Sequence, residues 1–315
     1  MNASAAHTMP NGRTFGARTT ADEVVAGLDL AGRTIVVTGA NTGIGEPTAA
    51  ALAGAGAHVI FACRNRASGE AAIARTRAVH PAAKVELAEL DLASFASIRR
   101  CADALQADKI DALVCNAGVS LMDYAETEDG FERVVGVCHI GHFLLARLMM
   151  PRLLAAGAAR VVMVSSGSHA MPPKLDFANF PMQRAAFKGL TAYGQAKLCN
   201  LLMAKSLQRR YGSRGLTACA LHPGTLIATE IGRHSRVVGA LIWLLKPFTK
   251  TRAQGAATSV YGVVHEPASD IAGQYLIDCR VAKSSAESND PAVAERVWSL
   301  SEEWVKKAGS VPAWP

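Results

Sequence analysis

The chain has 315 residues, half of them hydrophobic and 19% charged, with 33 Lys+Arg against 26 Asp+Glu for a net charge of +7. That composition excludes a disordered or fibrous chain, and the length suits one large domain or two ordinary ones burying roughly 75% of the unfolded surface. The positive charge is spread along the chain, which argues for general surface charge and a few anion-binding arginines and against a nucleic-acid footprint.

Residues 1–20 contain no acid, two arginines (Arg13 and Arg18) and no apolar stretch of a secretory signal. They read as a flexible tail, in preference to a transit peptide, ahead of a single domain over 21–315. The seven cysteines (Cys63, Cys101, Cys115, Cys138, Cys199, Cys219 and Cys279) are scattered and form no CxxC pair. They point away from a disulfide framework or a structural zinc site and toward a reducing, cytoplasmic compartment. No run approaches the roughly 18 apolar residues that cross a bilayer. The nearest, Val237–Leu245, would reach only about 13 Å as a helix, so the expectation is no transmembrane span and at most peripheral membrane contact.

From residue 34 onward short apolar or β-branched runs alternate with helical patterns. Strand Thr34–Thr38 leads to helix Ile44–Ala55, strand His58–Cys63 to helix Ala67–Val79, and strand Lys84–Leu90 to helix Phe95–Ala107. Strand Ala112–Cys115 follows, then helix Glu128–Ala155, strand Arg160–Ser165 and helix Tyr193–Tyr211. Strand Leu216–Leu221, helix Gln254–Val264, strand Gln274–Ile277 and helix Val293–Lys307 complete the series. The alternation predicts an α/β fold with one doubly wound, mainly parallel sheet of about seven strands and helices on both faces. Insertions are expected near 167–190 and 226–252.

The first strand runs directly into Thr38-Gly39-Ala40-Asn41-Thr42-Gly43-Ile44-Gly45. Glycines between a strand and a helix let backbone N–H groups approach a pyrophosphate at the helix N-terminus. Pro47 falls in the first helical turn, where its missing N–H does little harm. The second strand ends at Arg64-Asn65-Arg66, with no Asp or Glu from His58 to Arg66. An acid there would favour NAD by binding the ribose 2′-OH, whereas Arg64 suits a 2′-phosphate, so NADP(H) is expected, with NAD less favoured. Arg66 reads as a solvated helix-start charge. Tyr193 and Lys197 form YxxxK, whose i, i+4 spacing puts a phenol and an ammonium on one helix face. The ammonium stabilises the phenolate, so the tyrosine can exchange a proton with an alcohol or carbonyl oxygen.

In order along the chain, Thr38–Gly45, Asp91-Leu92, Asn116-Ala117-Gly118, Val164-Ser165-Ser166, Tyr193-Gly194-Gln195-Ala196-Lys197 and Pro223-Gly224 resemble the short-chain dehydrogenase/reductase family. The stretches HVIFACRN, IGHFLLARL, AKLCNLL, ALHPG and KPFTKTRAQGAAT resemble its retinol dehydrogenase and WW-domain-containing oxidoreductase branch. The resemblance spans about residues 20–305 and implies a Rossmann-type domain, small-molecule chemistry and a homodimer or homotetramer. It implies that Ser166 would donate to the substrate oxygen, Tyr193 would be the acid/base, and Lys197 would favour the phenolate and hold the nicotinamide ribose. Gly39, Asn41, Thr42, Gly43, Ile44 and Gly45 would cradle the cofactor, Asp91 with Leu92 would meet the adenine, and Asn116, Ala117 and Gly118 would border the nucleotide. Pro223 and Gly224 would shape the nicotinamide side, with Thr229 toward the pyrophosphate. Ser166 is preferred to Ser165 by its motif position, since strand alternation does not choose between them.

One departure stands out. Where the branch carries an asparagine in a pattern like NHLGHF, completing a proton relay, this chain reads Cys138-His139-Ile140-Gly141-His142-Phe143. A thiol replaces an amide poorly, so Cys138 reads as a small core residue that leaves the relay to a water or a carbonyl, or marks lost activity. His139 and His142 lack an evident third ligand, so no metal is expected. His222 reads as structural, and Trp298 and Trp304 as packing or interface residues. The run inside 226–252 reads equally as a buried helix or as an apolar lid over a hydrophobic substrate. The leading expectation is hydride transfer on a retinoid-, steroid- or aromatic-like alcohol or carbonyl. The alternative is a dinucleotide-binding sensor or interaction module with vestigial catalysis.

Overall fold

The computed structural model describes residues 7–8, 13–171, 174–224, 249–309 and 311–315. The main sheet comprises β1 (Thr34–Thr38), β2 (His58–Cys63), β3 (Lys84–Glu89), β4 (Ala112–Cys115), β5 (Arg160–Val164), β6 (Thr217–His222), β7 (Tyr275–Ile277) and β8 (Arg280–Ala282). Their spatial order is β8-β7-β6-β5-β4-β1-β2-β3, and every pairing is parallel except β7 with β8. The sheet thus has eight strands rather than about seven. The extra strand is a three-residue antiparallel return after a turn in which Asp278 and Cys279 both take positive φ, 53° and 57°. Asp278 is the first half of the usual Asp-Gly hairpin signature, but Cys279 stands where the glycine would be, so the signal is incomplete.

Among the described residues, besides a short helix at Ala21–Val25, the sheet is covered by α1 (Gly45–Gly54), α2 (Arg66–Val79), α3 (Phe95–Ala104), α4 (Arg133–Ala155), α5 (Gly189–Tyr211), α6 (Arg252–Val264) and α7 (Pro291–Val305). Alternate strand residues point to opposite faces. Val36, Ile60, Leu113 and Val161 pack against Ile98, Phe143, Leu198 and Trp298 of α3, α4, α5 and α7. Ile35, Val37, Val59 and Phe61 pack against Leu52, Ile73 and Val260 of α1, α2 and α6. This doubly wound arrangement brings the carboxyl ends of the parallel strands to one edge, where ligands bind in such folds.

Within the segment expected as a flexible tail, Thr14–Phe15 pairs with His7–Thr8, and the buried Phe15 ring stands edge-on to Tyr261 of α6 at 6.1 Å. The insertion after β5 forms three 3-10 turns, and two of its rings lie on the C-terminal helix. Phe180 meets Trp304 at 5.6 Å, and Arg296 covers Phe177 at 3.9 Å. Trp314 lies 4.8 Å from Trp298 and 5.3 Å from Phe143, while Arg147 Nε donates to the Pro312 carbonyl at 2.7 Å.

Helix α4 starts where the Glu132 carboxylate accepts the N–H groups of Val134 and Val135. Among the described residues it is the helix long and apolar enough to cross a membrane, yet 83% of its apolar window is buried in protein. The sequence reading singled out Val237–Leu245 instead, because Arg147 and Arg152 interrupt the apolar run of α4; residues 237–245 lie outside the described residues. Gly136–Ile140 is a π-helical turn, and the two histidines on and after it bolt α4 to its neighbours. His139 Nε2 meets Ser301 Oγ on α7 at 2.8 Å, and His142 Nε2 meets Thr38 Oγ1 at the end of β1 at 2.9 Å. His142 has both ring nitrogens on protein partners, whereas His139 uses Nε2 and its buried Nδ1 has no partner among the described residues.

Burial holds both imidazoles neutral, pushing His139 down to about 3 and His142 to about 4. The unfolded chain takes up those protons near pH 6.5, so this stability is present above that pH and is lost as pH falls toward 4. Urea unfolding should therefore show stability falling by about 2 kcal/mol per histidine between pH 6.5 and 5. His142→Gln should flatten that slope, and an unchanged slope would contradict the neutral buried ring.

Candidate active site

The glycine loop leaves β1 with Gly39 and Gly43 at φ of 65° and 62°, the left-handed region that favours glycine. Gly45 is restricted by space: a Cβ there would lie 2.2 Å from the Gly39 carbonyl oxygen and 2.4 Å from Asn116 Nδ2. Ile44 occupies the cap position of α1 with no side-chain hydrogen bond, so the first helical N–H groups face the loop without a capping side chain. Thr42 is exposed. Asn41 donates to Ser68 Oγ at 2.8 Å and fixes the loop to the start of α2. Gly39 N–H donates to the Ala62 carbonyl at 2.8 Å, which brings the end of β2, and hence Arg64, beside the loop. Arg64 is exposed with no partner among the described residues, whereas Arg66 is held by Glu70 at 2.9 Å and Glu89 at 2.8 Å.

At the end of β4, Asn116 Nδ2 donates to the Thr38 carbonyl at 2.7 Å, and its buried Oδ1 has no partner. The Thr38 hydroxyl accepts the N–H groups of Asn116 and Ala117, each at 2.9 Å. His142 Nδ1 must donate to the Cys138 carbonyl at 3.0 Å, so its Nε2 accepts from the same Thr38 hydroxyl. Asp91 is half-buried past β3, one carboxylate oxygen taking the Ala93 N–H at 2.9 Å. Leu92 is buried with its carbonyl against Gly141 of α4, so it packs the core beside the site.

The three residues expected to do the chemistry come from the end of β5 and from α5. Helix α5 begins four residues earlier than the sequence suggests, placing Tyr193 and Lys197 well inside it. Lys197 Nζ lies 5.4 Å from the centre of the Tyr193 ring and donates to the Val164 carbonyl at 3.0 Å. Lys197 is only 3% exposed, yet among the described residues no carboxylate pairs with it. The partly exposed Tyr193 has a hydroxyl with no hydrogen-bond partner among the described residues. The two serines stand in different surroundings. Ser165 is buried and its hydroxyl is spent on the Lys197 carbonyl at 2.7 Å, whereas Ser166 is half-buried, its Oγ near Ser168 at 3.3 Å. No hydrogen bond links the side chains of Ser166, Tyr193 and Lys197 directly; Ser166 Oγ also accepts the Ser168 N–H at 3.2 Å, and Lys197 keeps two N–H groups beyond the one on Val164.

Cys138 is fully buried, and its thiol is engaged with Val119, accepting from its N–H at 3.4 Å and donating to its carbonyl at 3.5 Å. A Cβ on Gly118 would stand 3.3 Å from both Cys138 Sγ and Lys197 Nζ, so this loop runs tightly between them. On the far side, Gly224 has φ 123°, and the Lys250 stem fills the space where its side chain would stand. Lys250 pairs with Asp278 at 2.5 Å and reaches the Pro223 carbonyl at 3.5 Å. His222 Nδ1 accepts from Gly167 N–H at 3.1 Å, a structural contact. Thr229 and most of 226–252 lie outside the described residues.

Sequence reasoning missed two supports. Asn200, fully buried on α5, donates to the Val164 carbonyl at 3.1 Å; its place three residues after Lys197, on one helix face, was a usable signal. His169 donates from Nδ1 to the Ser166 carbonyl at 2.7 Å and accepts the Ser285 N–H at 3.1 Å, a link across 116 residues with no local signal.

The glycine cradle, the uncapped helix start, the unpartnered Asn116 Oδ1 and the exposed Arg64 fit a dinucleotide. The family model for short chain dehydrogenase matches residues 33–237, more than half of the chain. The chain is 41% identical over 307 residues to WW domain-containing oxidoreductase of Danio rerio, covering 95% of this chain and 74% of that protein. It is 40% identical over 276 residues to retinol dehydrogenase 12 of Mus musculus, covering 87% and 86%. An uncharacterised protein of Mycobacterium paratuberculosis superposes with TM-score 0.73 at 33% identity, over 91% of this chain and 98% of that one. A Beutenbergia cavernae structure described as an NAD(P)-dependent gluconate 5-dehydrogenase with bound NADP gives TM-score 0.62 at 27% identity, over 79% and 95%. The chain belongs to the short-chain dehydrogenase/reductase family of NAD(P)-dependent oxidoreductases, in the branch of the retinol dehydrogenases and the WW domain-containing oxidoreductase.

Proposed function

We propose that this chain is an NADP(H)-dependent oxidoreductase acting on a hydrophobic alcohol or carbonyl, with Tyr193 as acid/base. The observation that carries this reading is the buried Lys197 ammonium against the Tyr193 ring, at the sheet edge that also presents Ser166 and the glycine loop. When bound, the nicotinamide supplies or accepts the hydride. Ser166 and Tyr193 direct their hydroxyls to the substrate oxygen, and Tyr193 gives or takes its proton. Lys197 favours the phenolate by its charge and turns its remaining N–H groups to the ribose.

The N–H groups over Gly39–Gly45 receive the pyrophosphate, and Arg64 receives the 2′-phosphate. Asp91 serves the adenine, Asn116–Gly118 line the nucleotide, Pro223 and Gly224 bound the nicotinamide, and Thr229 completes the pyrophosphate side. The name of the retinol dehydrogenase relatives supports a retinoid-, steroid- or aromatic-like substrate. A homodimer or homotetramer and a cytoplasmic setting belong to the same reading, the latter supported by seven free, buried cysteines. The sensor alternative is not favoured, because the relatives are named oxidoreductases and Ser166, Tyr193 and Lys197 are all in place.

Two measurements test this. With NADPH and a panel of retinal, long-chain aldehydes and aromatic ketones followed at 340 nm, the wild type should turn over, and Tyr193→Phe should lose about 100-fold or more in kcat. Turnover that survives in Tyr193→Phe removes the acid/base role. Arg64→Ala should weaken NADPH binding about tenfold or more while NADH changes little. Equal losses for the two cofactors would reverse the phosphate assignment.

A further inference from the structure

β4 stops at Cys115, paired with Met163, and the chain turns off through Asn116, whose N–H donates back to the Val114 carbonyl. The next carbonyl of β5, that of Val164, therefore has no strand partner on that side. A buried carbonyl left unpaired is costly, and here α5 supplies the donors. Lys197 Nζ donates at 3.0 Å and Asn200 Nδ2 at 3.1 Å, filling both lone pairs of one oxygen. The other end of the same peptide unit is also fixed, since Ser165 N–H donates to the Leu221 carbonyl at 2.8 Å. Ser165 Oγ closes the arrangement on the Lys197 carbonyl at 2.7 Å.

Asn200 is fully buried and its Oδ1 has no partner. A leucine would fill that volume without an unmade hydrogen bond, so the amide is retained at a cost to stability and works through its donor. The groups facing Lys197 are Tyr193 on its own helix and, from α4, Cys138 across Gly118 and the neutral His142. Among the described residues none is a carboxylate, and the hydrogen bond that directs the ammonium is the one to the Val164 carbonyl.

We propose that Asn200 is a positioning residue for Lys197: by sharing the Val164 carbonyl it fixes that peptide plane, holds one ammonium N–H on it and turns the other two toward Tyr193 and the cofactor. This rests on the reading of Lys197 given above. Without Asn200 the peptide keeps its Ser165 N–H on the Leu221 carbonyl but its Val164 oxygen is left with Lys197 as its one donor, so the carbonyl can swing about that anchor and the ammonium moves with it.

The test uses the full chain with NADPH as the probe, its binding followed by fluorescence, and kcat and KM measured with the best carbonyl of the panel. Asn200→Leu should weaken NADPH binding about tenfold and lower kcat about tenfold, with the carbonyl KM within about twofold and the melting temperature unchanged or raised. Asn200→Gln, which restores an amide donor, should recover part of both losses. Asn200→Ala removes the donor without adding a charge and should repeat the losses, so the test stands even where the leucine variant does not fold. Wild-type NADPH affinity and kcat in either donorless variant, or losses that Asn200→Gln does not relieve, overturn the role of Asn200 alone. A wild type that binds no NADPH overturns the cofactor reading as well.

Discussion

The hydroxyl of Thr38 is the junction on which the cofactor end of the molecule depends. It is fully buried, takes the N–H groups of Asn116 and Ala117, and donates to the neutral ring of His142. The β1–β4 ladder ends with Val37 opposite Val114, so this side chain continues the pairing after the strands part. Asn116 answers with its own amide on the Thr38 carbonyl, and His142 carries the connection into the π turn of α4. A strand end, a glycine loop and a core helix thereby share one reference point, and the chain leaving it passes Gly118 between Cys138 and Lys197.

Two lysines near the site, Lys197 buried and Lys250 partly buried, show how differently one fold treats a charge. Lys250 is matched by Asp278 and serves as a strut against Pro223 and Gly224. Among the described residues, Lys197 has peptide and amide groups, a thiol, a neutral imidazole and a phenol about it, and no paired carboxylate. Under the proposed acid/base role of Tyr193, a carboxylate at that point would offset the ammonium's field on the phenol, so the desolvation cost of an unmatched ammonium would be bound up with that role. Hydrogen bonding to a neutral carbonyl reduces that cost without cancelling the charge.

Much of this was legible in the sequence. The apolar strands buried on both faces, the glycine loop and YxxxK all follow local rules of periodicity and spacing, and β1, β2 and β4 keep their expected bounds. What escaped depends on distant partners or on atypical residues. The β7–β8 turn hides because Asp278 and Cys279 take a backbone normally reserved for glycine or asparagine. The start of α5 hides because Gly189 packs against the Leu121 carbonyl, a contact no propensity records. The contrast between the serines needed the Ser165–Lys197 bond, and the fate of Cys138 needed the backbone of Val119, 19 residues earlier.

Trp314 covers Phe143 and Trp298, although Phe143 belongs to the helix at the centre of the chain. During synthesis the glycine loop, both serines and the tyrosine helix all emerge before this indole. A nascent chain that already holds Ser166, Tyr193 and Lys197 but not yet this indole therefore leaves the Phe143–Trp298 seam uncovered at that point, the kind of transiently exposed apolar surface on which folding intermediates associate.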